Sequence, residues 1–163
     1  MKIYLKFMSI IFICIVVVQS CKKDKVTDKE LFDAVNQSGY TYYIGTPSIT
    51  AGVGNSPHSF ERVRFNTIAQ AALNISGKLP VGASFPSGSV IVKEIYSSAS
   101  GSLKQYAVMK KDPSSSNAGN GYVWAEYKPD GTATFSTAKK GDGCIACHSG
   151  STNRDLVRTF DLH

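Results

Sequence analysis

Ser89-Val90-Ile91-Val92-Lys93-Glu94-Ile95-Tyr96 is the stretch on which the fold turns. Its density of Val and Ile marks a β-strand. The turn Phe85-Pro86-Ser87-Gly88 precedes it and the polar run 97–102 follows it. Alternation places Ile91, Lys93 and Ile95 on one face. Glu94 makes the opposite face charged as well, so periodicity leaves open which face is buried. Three further strands read out downstream, over residues 103–110, 121–128 and 132–135, with Pro129-Asp130-Gly131 as the hairpin turn between the last two. Upstream, Phe60–Phe65 alternates, with Phe60, Arg62 and Arg64 on one side and Glu61, Val63 and Phe65 on the other.

Helical signals are short. Thr27-Asp28-Lys29-Glu30 reads as a capping box, with Leu31, Ala34 and Val35 on one face and Gly39 as the stop. Thr67-Ile68-Ala69-Gln70 reads as a second box. Ile68, Ala71, Ala72 and Ile75 then follow the i, i+3, i+4, i+7 pattern before Gly77 and Pro80. Residues 40–44 are aromatic and β-prone, and 45–58 are rich in Gly, Ser and Pro. There is no internal repeat. The expected fold is α+β: a mainly antiparallel β-sheet, two or three short helices and a distinctive C-terminal segment.

The N-terminus reads as an export signal. Lys2 and Lys6 precede a short apolar run from Ser9 to Val18, followed by Lys22-Lys23-Asp24-Lys25. Val17-Val18-Gln19-Ser20-Cys21 resembles a bacterial lipoprotein cleavage box, in which Cys21 becomes the lipidated first residue. The alternative is an ordinary secretory signal with a chance Cys. Residues 1–20 are thus expected to be a signal peptide, 21–26 a lipid-anchored tether and 27–163 the folded domain, in the cell envelope and facing the periplasm or the cell surface. Removing 1–20 takes away two lysines and no acid, leaving 16 basic against 12 acidic side chains in 143 residues. That length suffices for one domain with a real core. The mild basicity is spread along the chain without a long Lys/Arg block, which argues against nucleic acid as a partner.

Chemistry concentrates near the C-terminus, where Cys144-Ile145-Ala146-Cys147-His148 spells C-x-x-C-H. The spacing suits a c-type haem. Two thiols form thioethers with the porphyrin vinyl groups, and the adjacent imidazole reaches the iron. Cys144 and Cys147 are then covalent anchors and His148 the proximal ligand of one haem. A redox Cys144–Cys147 pair does not need His148. A zinc site needs four ligands, and only His58 and His163 remain. Small helical electron-transfer cytochromes attach haem near the N-terminus and use a downstream Met. Here only 15 residues follow His148, none of them Met, and Met109 is the one methionine left after the signal. His58 and His163, outside the motif, are the alternative sixth ligands. The reading is an open iron position suited to a small molecule.

The ordered segments 85–94, Met109-Lys110-Lys111-Asp112, Gly121-Tyr122-Val123-Trp124, the C-x-x-C-H motif and Asp155-Leu156-Val157-Arg158-Thr159 resemble the cytochrome P-460 family, which includes the cytochromes c′-beta. The resemblance runs from about residue 58 to 160, with 26–57 matching loosely. It implies a mainly antiparallel β fold, one c-type haem, five-coordinate iron and a homodimer. It also implies one of two activities. Cytochromes P-460 are oxidoreductases that oxidise hydroxylamine and carry a lysine bonded to a haem meso carbon. Cytochromes c′-beta bind nitric oxide and carbon monoxide in an apolar pocket. Lys93 falls at the cross-linking position. Ala107 falls where the hydroxylamine-oxidising members carry a distal carboxylate. Arg62 or Arg64 matches a distal arginine. Three functions follow as expectations: hydroxylamine oxidation with electrons passed to a redox partner protein, non-enzymatic gas binding or sensing, and plain electron carriage.

Overall fold

A computed structural model describes residues 24–53, 56–150, 152 and 154–162. The expected signal, Cys21 and His163 lie outside the described residues. Among the described residues seven strands form one antiparallel sheet: β1 (Thr41–Tyr42), β2 (Thr50–Ala51), β3 (Phe60–Phe65), β4 (Val90–Tyr96), β5 (Leu103–Lys111), β6 (Tyr122–Tyr127) and β7 (Ala133–Phe135). The spatial order is β1-β3-β4-β5-β6-β7, with β2 pairing the other end of β3. Four short α-helices among the described residues complete the α+β fold: α1 (Asp28–Val35), α2 (Thr67–Ala71), α3 (Cys144–His148) and α4 (Thr159–Leu162). Among the described residues no helix is long and apolar enough to cross a membrane.

Both faces of the sheet are covered, which resolves the ambiguity of β4. One face carries Val90 and Val92 with Val108, Val123, Ala125 and Tyr127, and α1 lays Leu31 and Val35 over them. The box at Thr27 forms in both directions: its hydroxyl accepts from Glu30 N, and the Glu30 side chain accepts from Thr27 N. Further along this face Glu94 is buried, and two guanidiniums hold it. Arg62 Nε and Arg64 Nε both pair with its carboxylate, the latter at 2.8 Å, and Tyr96 Oη donates to it at 2.7 Å. The opposite face presents Val63, Phe65, Ile91, Met109, Tyr122 and Trp124. Phe85, Val157 and Phe160 from the connecting and C-terminal segments cover it.

The second helix differs from expectation. Asn66, not Thr67, is the cap, its Oδ1 accepting from Ala69 N at 3.0 Å. The same oxygen accepts from Val90 N at 3.0 Å while Nδ2 donates to Gly88 O at 2.9 Å. Asn66 therefore stitches the helix to the start of β4, a tertiary role that fixes the cap one residue early. The helix is also shorter. Asn74 Oδ1 accepts from Ser76 N and Lys78 N and offers the chain a turn in place of a further helical turn. Consequently Ala69 is the buried residue, whereas Ile68 and Ile75 are exposed.

Candidate functional site

A cavity of about 450 Å³ lies on the sheet face opposite α1. Its floor is a register row running across four strands. Val63 of β3 pairs with Lys93 of β4, Lys93 with Ala107 of β5, and Ala107 with Glu126 of β6. Ile91, Met109 and Trp124 extend the floor, and the 56–58 loop, α3 and the segment from Val157 to Leu162 form the walls.

The α3 turn brings the three motif residues together. Cys144, Cys147 and His148 stand at i, i+3 and i+4, hence on one helix face, and all three line the cavity. Both cysteines are free thiols. Burial pushes the Cys144 thiol up, with the charges of Glu126 and Asp142 adding to it. Among the described residues no three His, Cys, Asp or Glu side chains gather as ligands for a bare metal ion.

His148 is held by one bond and one ring. Its Nδ1 lies 2.7 Å from Leu156 O. A carbonyl only accepts, so Nδ1 carries the proton and Nε2 is the nitrogen with a free lone pair. Burial pulls the imidazole pKa down and the charges of Lys93 and Arg158 reinforce this, against the Leu156 bond, so the ring is neutral near pH 7. Trp124 meets the imidazole edge-on, with centroids 5.0 Å apart, and its own Nε1 is anchored on Gly119 O at 2.9 Å.

Lys93 reaches the cavity but is not free. Its Nζ pairs with Glu61 Oε1 at 2.8 Å, and Glu61 is buried on the same sheet face. Ala107 lies in the floor, and the carboxylate in the described lining belongs to the next strand. Glu126 lines the cavity directly across from Ala107, with Gln105 Nε2 donating to its Oε2 at 2.6 Å. Burial raises the Glu126 carboxyl pKa, and the Gln105 bond opposes it. Strand alternation along β5 alone does not reveal this residue. The available signal was an acid two positions from Trp124, on the same face of an otherwise apolar strand.

The structure does not bring Arg62 or Arg64 to the cavity. Both project from the other face of β3 to Glu94, stacked on Tyr42 and Tyr40 at 4.8 and 4.6 Å. Strand alternation decides this, since Val63 between them takes the cavity side. The arginine in the described lining is Arg158, whose Nη1 donates to Cys147 O at 3.0 Å and to Gly150 O. His58 also lines the cavity. Burial, with the Lys93 charge, lowers its pKa to about 4, so its ring is neutral.

These residues fit a c-type haem. The lining is largely apolar, two thiols share one helix face, a neutral imidazole has Nε2 unprotonated, and Arg158 offers a partner for an acidic substituent. Fold and site together define a c-type haem protein built on an antiparallel sheet. The model of the cytochrome P460 family matches residues 40–159, and the chain belongs to that family. No curated protein matches the chain.

Proposed function

We propose that the chain binds one haem covalently through Cys144 and Cys147, with His148 as proximal ligand, and oxidises hydroxylamine or a related small nitrogen compound at the cavity side. Bound there, the haem would supply a redox-active iron for such a compound, with a redox partner protein as the electron acceptor. The observation that carries this reading is Glu126. N–H and O–H deprotonation needs a positioned base, worth a factor of ~10²–10⁴. Glu126 places a carboxylate in the cavity floor one strand from the expected position. Its raised pKa brings proton exchange closer to neutral pH.

One observation favours the gas-binding alternative. The Lys93 amine is paired with Glu61, and the floor around it is Val63, Ile91 and Met109. An engaged ammonium is not a nucleophile, and an apolar floor suits nitric oxide or carbon monoxide. Reading residues 1–20 as an export signal with Cys21 as the first mature residue supports a lipid-anchored location in the cell envelope, since c-type haem is attached outside the cytoplasm. The family resemblance supports a homodimer.

The test compares wild type, Lys93→Arg and Glu126→Gln by ferrous optical spectrum, hydroxylamine turnover and nitric oxide affinity. Oxidation is supported by turnover in wild type that falls ~10²-fold or more in Glu126→Gln. A red-shifted Soret band lost in Lys93→Arg marks a lysine–haem bond. Absent turnover with tight nitric oxide binding selects the gas-binding reading. Low-spin six-coordinate spectra in both oxidation states would refute the open iron position and point to His58 or Met109 as a second ligand.

A further inference from the structure

Asp155 and Leu156 are consecutive non-glycine residues with left-handed backbones, φ +51° and +67°. L-residues adopt this conformation at a cost, and it persists only where surrounding contacts over-determine it. Here the Asp155 carboxylate supplies those contacts. Its Oδ2 accepts from Phe85 N at 2.7 Å and from Tyr122 Oη at 2.8 Å. Lys111 Nζ donates to Oδ1 at 2.7 Å and to Oδ2 at 2.9 Å. The three partners come from the turn before β4, the end of β5 and the start of β6. One side chain therefore nails the turn to the end of the sheet.

The turn presents the carbonyl that matters. Leu156 O accepts from His148 Nδ1 at 2.7 Å. The α3 helix has little rigidity of its own, being five residues long with Gly143 at its N-cap and no side-chain cap bond. The rotation of the imidazole is thus set from outside, by Leu156 O and the Trp124 edge.

We propose that Asp155 is a positioning residue for the proximal ligand, acting through the Leu156 carbonyl; this rests on the haem reading above. Locked in the strained turn, that carbonyl fixes the Nδ1–H tautomer and makes Nε2 a stronger donor, which favours ferric over ferrous iron. The carboxylate never touches the haem site. It controls the site by holding the backbone that does.

The experiment uses holoprotein of wild type, Asp155→Asn, Asp155→Ala and a control, Leu31→Ala, which weakens the core on the far face of the sheet. Haem retention on a denaturing gel, the iron–histidine stretching frequency of the ferrous form and the reduction potential are measured. Asn tolerates the left-handed turn but loses the charge that holds Lys111. Asp155→Ala should lower the stretching frequency and shift the ferric-over-ferrous preference about tenfold, or about 59 mV for a one-electron couple. Asp155→Asn should move both in the same direction by less, and Leu31→Ala should move neither. Unchanged frequency and potential in both Asp155 variants, or equal shifts in Leu31→Ala, would overturn the proposal while leaving the haem reading intact. Wild type without haem on the gel would overturn both.

Discussion

Lys93→Met is the most informative single change in this protein. The Lys93 side chain is 15% exposed and its partner Glu61 is 2% exposed. Deleting the amine takes the ammonium partner away from a carboxylate in a nearly dry place. Removing one member of a buried ion pair costs ~3–5 kcal/mol, because the survivor keeps its desolvation penalty. At ~2–4 °C per kcal/mol for a domain of this size, the midpoint of thermal unfolding should fall by ~6–20 °C. Lys93→Arg keeps the charge and should cost much less. Lys93→Met combined with Glu61→Gln should recover most of the loss, since the buried charge that lost its ammonium is removed with it. The assay is guanidinium and thermal unfolding of haem-loaded protein, followed by circular dichroism, for the four proteins. A loss under ~1 kcal/mol in Lys93→Met, or a double variant no better than the single one, would refute the ion-pair reasoning. It would mean that other contacts hold Glu61 or that the amine has another partner in the loaded protein. Mapping for a peptide that joins residues 144–148 to Lys93 through haem distinguishes the two.

Replacing Cys144 and Cys147 together with Ala should abolish haem retention on a denaturing gel and in intact mass, and retained haem would refute thioether attachment. Glu126 gives a pH signature: its folded pKa is raised above the ordinary value of 4.5, so the folded state holds the proton longer than the unfolded chain. Stability therefore falls as pH rises from about 4.5 towards the raised value. Glu126→Gln should remove that component and be the more stable protein above it; parallel midpoint-versus-pH curves for the two would contradict this. Asn66→Ala should cost ~1 kcal/mol or more in denaturant unfolding and Thr67→Ala only a few tenths, because the cap lies at Asn66. The reverse order would restore the cap to Thr67. A mature N-terminus other than lipid-modified Cys21 in a lipoprotein-processing host would refute the proposed anchor.

The sheet was legible because its cues are local. Phe60–Phe65, the Val/Ile run of β4 and the Pro129-Asp130-Gly131 turn carry period-2 and turn chemistry that few tertiary contacts override. The α1 box was legible for the same reason: Thr27 and Glu30 satisfy each other without help. Cys144, Cys147 and His148 share a face because one helical turn places them so. Alternation also separated Val63 from Arg62 and Arg64. The choice of those arginines as distal groups failed because a sequence does not say which face will hold the cavity. That depended on Glu94, a buried anion on the other face that draws both guanidiniums.

The rest needed partners distant in the chain. The cap of α2 moved to Asn66 because that side chain also satisfies Val90 and Gly88. Glu126 entered the site because strand pairing set it beside Ala107, a relation fixed by register and not by proximity along the chain. The hold on His148 runs through Asp155 to Phe85, Lys111 and Tyr122. Local sequence chemistry specifies the elements, the alternation of their faces and the C-x-x-C-H spacing, because each follows from dihedral preference and short-range spacing. The tertiary structure alone decided which face is the floor of the cavity, which acid it contains and what aims the histidine. Those outcomes depend on pairing free energies between segments that only the closed sheet brings within hydrogen-bonding distance.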